Sequence, residues 1–300
     1  MMDGKLLAGS LPVDAFPKGE KPRYRPVGRW RKQMADESTL FGLRGKKALI
    51  VGGGQGMGEA SARFLAHAGC DVALVDLEQE RADRVAAIVT GIGPRAVTVV
   101  GDVLDDAQIP RIVAEAEEKL GGLDRMVSIV GAASWGSLLE TTGDIWDQQM
   151  RLNLRYFFLM SKEVANAMIR RGTGGRIVGI ASVDGQRASP MRGAYGAAKA
   201  GLISVVQTMA VEWAPHNISV NAIAPGHIVT PRLFDTPRRV EGYANSLIPL
   251  RRRGTTDDIG KAVLFLLSDL ASYVNGTTLD VDGGLLSANL FPQGLPASNG

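Results

Sequence analysis

The chain has 300 residues, 45% of them hydrophobic and 22% charged, which is enough to bury a sizeable core and ordinary for a soluble globule. Its 34 basic and 31 acidic side chains leave a formal charge of +3 with only local basic clusters, so nothing calls for a nucleic-acid partner. Cys70 is the lone cysteine, which excludes an intrachain disulfide, and His67, His216 and His227 share no metal-ligand spacing; a cytoplasmic, metal-free protein is expected.

In chain order, residues 1–40 hold Pro12, Pro17, Pro22 and Pro26 and a basic run from Arg23 to Lys32, which predicts an irregular arm. The apolar stretch "LLAGSLPV" inside it is cut by Pro12 and followed by Asp14, making a poor signal peptide. Met34 opens a natural domain start, so the first 33 residues are either an appended arm or upstream of the true start. From Leu43 onward, β-type runs alternate with helical stretches. Strands are expected at Ala48 to Val51, Val72 to Val75, Ala96 to Val100, Arg125 to Val130, Arg176 to Ala181, Ser219 to Ile223 and Thr277 to Val281. Helices are expected near 56–68, 78–90, 105–120, 144–171, 193–214 and 257–268. Right-handed βαβ crossovers then make an α/β, doubly wound parallel sheet the economical fold, in one domain at 41–286 with a tail at 287–300. No run approaches the ~20 apolar residues of a membrane helix.

The stretch "LIVGGGQGMGEA" places five glycines between Gly52 and Gly58, after a strand and before a helix. A P-loop frame beginning at Gly53 puts Glu59 and Ala60 where lysine and a hydroxyl are needed, and a carboxylate there repels a triphosphate. A G-x-G-x-x-G frame through Gly52 and Gly54 fails at Met57. The frame that survives is G-x-x-x-G-x-G through Gly52, Gly56 and Gly58, at a helix N-terminus suited to an anion; a plain strand-to-helix turn would use the same residues.

Asp76, 18 positions beyond Gly58, ends the second strand and can accept hydrogen bonds from the adenosine ribose of NAD, although a loop acid capping the next helix would look alike. Its carboxylate disfavours the 2′-phosphate of NADP, and neither Gln55 nor Leu77 offers a cation nearby. Further on, Tyr195 and Lys199 stand at i and i+4 on one helix face. A free tyrosine, with a pKa of ~10, is ionised about once in a thousand at neutral pH. A nearby ammonium favours the phenolate, and such a tyrosine can exchange a proton with an alcohol or a carbonyl.

With "GDV" at 101–103, "WDQQMRLN" ending at Asn153, "GRIVGIAS" ending at Ser182, "VNAIAPGHIVT" at 220–230 and "DVDGG" at 280–284, these motifs stand in a set order. In that order the chain resembles the short-chain dehydrogenase/reductase family (SDR) from about Gly45 to Gly284. The resemblance implies a Rossmann-type sheet of about seven strands in the order 3-2-1-4-5-6-7 with helices on both faces. It implies that Tyr195 is the general acid/base, that Ser182 bonds the substrate oxygen, that Lys199 binds the nicotinamide ribose and lowers the Tyr195 pKa, and that Asn153 anchors a water in the proton relay. NAD would be held by Gly52, Gln55, Gly56, Met57, Gly58, Asp76, Asp102, Val103, Gly131, Tyr195 and Lys199, with Pro225, Gly226, Ile228 and Thr230 placing the carboxamide. Where the family usually has Thr and Asn-Asn-Ala-Gly, this chain has Val51 and "SIVG" at 128–131, a paired replacement expected to compensate.

The variable stretches offer Trp135, Met191, Leu233, Phe234 and Tyr243, suited to a bulky hydrophobic secondary alcohol or ketone, with Ser182 at the reacting oxygen. Arg232, Arg238, Arg239 and Arg251 to Arg253 would instead suit an acidic or CoA-linked substrate. The alternatives are a 3-hydroxyacyl dehydrogenase or 3-oxoacyl reductase, against which Val211 stands where carrier-protein reductases often have Arg, and a non-catalytic NAD-binding regulator. By the same resemblance, a homo-oligomer, dimer or tetramer, is expected through the helices around 147–171 and 193–214, with no nucleic acid, membrane or metal involved.

Overall fold

Strand β1 (Lys47–Val51) is apolar from Ala48 onward and fully buried there, as a strand must be when both faces of its sheet are covered. The computed structural model describes residues 40–231 and 247–288. The rest of the arm, Leu233, Phe234, Tyr243, Arg232, Arg238, Arg239 and all but two residues of the tail therefore lie outside the described residues. β1 pairs in parallel with β2 (Asp71–Asp76) on one side and β4 (Arg125–Ser128) on the other. With β3 (Ala96–Val100), β5 (Gly175–Ile180), β6 (Ile218–Pro225) and β9 (Thr278–Val281), the order is β3-β2-β1-β4-β5-β6-β9, all parallel. This is the expected order; its last strand is ninth because β7 (Ile228–Val229) and β8 (Gly254–Thr255) form a separate two-stranded ribbon.

The sheet divides the core into two layers. On one face, Leu49, Val51, Ala73 and Val75 pack against helices α3 (Ile109–Leu120), α5 (Tyr156–Arg171) and α6 (Gly193–Trp213). On the other, Ala48, Ile50, Val72 and Leu74 meet α1 (Gly56–His67), α2 (Gln79–Ile92) and α7 (Thr256–Leu267). Alternate residues of one strand thus feed opposite layers. The strand order reverses between β1 and β4, and it is at such a switch point that an open α/β sheet leaves a crevice at its carboxyl edge.

Two elements depart from the sequence reading. The run expected as one helix over 144–171 is α4 (Gly143–Met150), a π-helical turn at Arg151–Arg155, and α5. The strand expected from Arg125 to Val130 ends at Ser128, and Ile129 and Val130 turn away to pack beside Gly52.

Candidate active site

The glycine turn is crowded on the side away from the cleft. The N–H groups of Gly52 and Gly53 both donate to the Val75 carbonyl, at 2.9 and 3.0 Å, stitching the turn to β2. A Cβ on Gly58 would fall 1.9 Å from the Gly52 carbonyl oxygen, one on Gly53 2.7 Å from Leu74, and one on Gly54 2.4 Å from Asp76 Oδ2. The two glycines outside the G-x-x-x-G-x-G frame are therefore required by close packing under the turn.

Asp76 is buried and tightly oriented. Its Oδ2 accepts from Gly54 N–H at 3.0 Å, and its Oδ1 accepts from Glu78 N–H at 3.2 Å and from Arg81 Nη2 at 2.7 Å. Arg81 corrects the expectation of no nearby cation: in the first turn of α2, it reaches back to the carboxylate and also pairs with Glu78 at 2.9 Å. The turn, Asp76 and Arg81 line a cleft of about 370 Å³ together with Gln55, Gly56, Met57, Asp102, Val103, Gly131 and Thr230. Of the other residues expected to hold the cofactor, Gly58, Tyr195, Lys199, Pro225, Gly226 and Ile228 do not line it. Gly58 lies beneath the glycine turn, whereas Gly226, whose N–H donates to Val281 O at 3.0 Å, and Ile228, buried in β7, shape the loop that leads to Thr230.

Beyond Gly131 the polar groups converge. A methyl group built on Gly131 would lie 2.8 Å from Asn153 Oδ1 and 3.2 Å from Lys199 Nζ, so the bare backbone lets both approach the cleft. The π turn carries Asn153, whose Nδ2 donates to Ala132 O at 3.0 Å and Gln149 O at 3.2 Å. Asn153 Oδ1 is buried and has no hydrogen-bond partner among the described residues. Lys199 Nζ, fully buried, donates to Ile180 O at 2.8 Å and lies 5.7 Å from the centre of the Tyr195 ring. Burial pulls the Lys199 ammonium down to about 7. The Tyr195 phenol is pushed up, first by burial and then by the Asp184 carboxylate, while a hydrogen bond with Ser182 and the Arg192 guanidinium pull it the other way. Beside Lys199, the side chains that act on the phenol therefore include Ser182, Asp184 and Arg192.

Of the residues expected at the substrate, Trp135 is 73% exposed and Met191 49% exposed. Gly136 N–H donates to Met191 O at 2.9 Å, tying their two loops together, and the Arg192 guanidinium lies 4.9 Å from the Trp135 ring centre. Arg252 is engaged elsewhere: it pairs with Asp258 at 2.8 Å in the first turn of α7. His227 is held below the usual imidazole range by burial and by Arg192 and Arg187. No helix among the described residues is long and apolar enough to cross a membrane.

A family model described as enoyl-(acyl carrier protein) reductase matches residues 52–286. The chain belongs to the short-chain dehydrogenase/reductase family. An SDR protein of Armillaria gallica is 37% identical over 81% of this chain and 97% of its own length. The 2,5-dichloro-2,5-cyclohexadiene-1,4-diol dehydrogenase of Sphingobium indicum is 35% identical over 81% of this chain and 97% of its own. The crystal structure of levodione reductase superposes with a TM-score of 0.78 at 34% identity, covering 82% of this chain and 99% of that one. As an SDR, the protein is an oxidoreductase of a nicotinamide-using family with a small-molecule substrate.

Within this SDR site, sequence reasoning missed Gln149, Arg81, Asp184 and Arg192. Gln149 was legible in principle: four residues before Asn153, its Oε1 accepts from Ser134 N–H at 3.3 Å and positions the loop after Gly131. Asp184 and Arg192 carry no local signal, because only the fold brings them together.

Proposed function

We propose that the protein is an NAD-dependent oxidoreductase that interconverts a secondary alcohol and a ketone on a bulky, apolar, ring-bearing substrate, with Tyr195 as the general acid/base. The carrying observation is the meeting of Asn153 Oδ1, Lys199 Nζ and the hydrogen-bonded Ser182 and Tyr195 beside the cleft at Gly131. The donor set suits a dinucleotide: the glycine turn and α1 N-terminus for the pyrophosphate, Asp76 for the adenosine ribose, and the buried Lys199 for the nicotinamide ribose. When bound, the nicotinamide ring supplies the hydride acceptor or donor. Ser182 holds the substrate oxygen, Tyr195 takes its proton or returns it, and Asn153 with Lys199 connects the phenol to solvent through hydrogen bonds. A phenol raised by burial is protonated at neutral pH, which favours giving a proton to a ketone; alcohol oxidation then gains from higher pH.

NAD is favoured over NADP by local charge. Asp76 and Glu78 share the single guanidinium of Arg81, so the ribose end of the cleft stays net negative and opposes a 2′-phosphate. Arg84 is drawn off to Glu59 and the Gly54 carbonyl. The ring-bearing substrate draws on the exposed Trp135 and Met191 and on the two relatives whose names specify a cyclohexadienediol and levodione. A second reading, 3-hydroxyacyl dehydrogenase or 3-oxoacyl reductase, draws on the description of the matching family model; Val211, 76% exposed, leaves that helix face without the arginine expected of a carrier-protein reductase. The assembly we propose is a homo-oligomer in the cytoplasm.

The test is to mix the purified protein with NAD or NADP and a panel of ring alcohols and 3-hydroxyacyl thioesters while following NADH or NADPH absorbance. Turnover of ring alcohols with NAD is expected. Turnover of thioesters alone selects the second reading, and tight NAD binding with silence across the panel would make the protein a nucleotide-binding regulator.

A further inference from the structure

Two charged residues beside Ser182 and Tyr195 have no part in the chemistry above. Asp184, two residues past Ser182, is 4% exposed, and its N–H donates to Ser182 Oγ at 3.1 Å. A buried carboxylate is costly unless paired, and its partner is Arg192, the residue before α6, with Nη1 2.8 Å from Oδ2. Trp135 also meets the guanidinium at cation–π distance, brought there by the backbone pairing of Gly136 with Arg192. The cation thus has two partners, a carboxylate and an indole. Arg192 also opens the helical turn that carries Tyr195, where its carbonyl accepts from Gly196 N–H at 2.9 Å, so the ion pair joins the loop after Ser182 to the helix that bears the phenol. Both charges bear on that phenol, with opposite effects.

We propose that Asp184 and Arg192 form a matched pair of opposite charges that governs how readily Tyr195 gives up its proton, with Trp135 holding the cationic half in place. The proposal rests on the reading of Tyr195 as the acid/base, and it makes Asp184 and Arg192 positioning residues. The remaining groups around the phenol are Ser182, Lys199 one turn along α6, and Tyr156 on α5; His227, with Arg187 and Arg253 near it, feels the same pair. With the pair intact the two charges oppose each other at the phenol; with one half removed the other acts alone.

The experiment is a pH titration of tyrosinate absorbance in the full-length protein, without nucleotide and saturated with NAD, with Tyr195→Phe subtracted to isolate one phenol. Asp184→Asn lowers the Tyr195 midpoint by at least about one pH unit, a tenfold change in ionisation, and Arg192→Met raises it as much. The double variant Asp184→Asn/Arg192→Met returns it close to the starting value, and Arg192→Lys keeps it there. A purely structural role gives no such opposed signs. Single variants that shift the midpoint the same way, or not at all, overturn the proposal. Should Arg192→Met not fold, Asp184→Asn, which preserves the side chain's shape, decides the sign by itself. Opposed shifts in a protein silent toward the substrate panel uphold the pair and sink only the acid/base reading.

Discussion

Asp76 holds the glycine turn through Gly54 and Arg81 through an ion pair, and in the proposed site it sets the sign of the field where the adenosine ribose would lie. Asp76→Asn keeps an acceptor for Gly54 but removes the charge and leaves Arg81 to meet a phosphate. The expected result is a shift of at least about tenfold in the NADP-to-NAD ratio of kcat/KM, or about 1.4 kcal/mol; an unchanged ratio would place the discrimination elsewhere. Lys199 makes a prediction about stability. Unfolded, it stays protonated to ~10.4, whereas in the fold it gives up its proton near about 7. Between those values the unfolded chain binds more protons, so stability of the nucleotide-free protein rises with pH. Over roughly one and a half pH units above neutrality the gain is ~2 kcal/mol, and denaturant melts of Lys199→Met should lack it. Gly52, Gly56, Gly58, Asp76, Tyr195 and Lys199 were legible because each belongs to a local spacing; Arg192 and Asp184 were not, since a pair joined across a loop leaves no period in the sequence.

The π turn at Arg151–Arg155 is the element that most changes the site. Tyr156 N–H donates to Arg151 O, five residues back, so the helix carries one extra residue there and Asn153 is swung toward Gly131. Apolar periodicity alone reads straight through it, which is why one long helix was expected. Deleting Leu152 should restore the α register, hold or raise the melting temperature, and cost ~100-fold in activity; full activity in the deletion would show that Asn153 is not needed where it stands. Strand β4 raises a related question, since Val51 and "SIVG" remove polar groups from the turn. The end of β4 is secured from α5: the Ser128 hydroxyl donates to Tyr156 Oη at 3.0 Å, and Tyr156 Oη donates to Val130 O at 2.5 Å. Tyr156→Phe strands both partners and should cost ~1–3 kcal/mol in chemical denaturation. Val51→Thr, adding a hydroxyl at a fully buried position, should bring no gain.

Across the whole molecule, the alternation of strands and helices was sufficient to give the doubly wound topology, because parallel strands need helices on both faces and right-handed crossovers leave few arrangements. What it could not give is which helix faces stay uncovered. Phe158 on α5 is 43% exposed and Trp146 on α4 is 40% exposed, and large apolar groups on neighbouring helices suit contact with a second copy. Phe158→Asp should lower the mass in solution by light scattering while changing monomer stability by less than ~0.5 kcal/mol; an unaltered mass would move the contact away from this face.

Trp135 stands at the rim with its indole largely in water and one face against the Arg192 guanidinium. That arrangement gives the protein its own optical gauge. Anything that covers the rim dries the indole, so if the substrate binds at this rim as proposed, its arrival will change tryptophan emission before a single turnover has been detected.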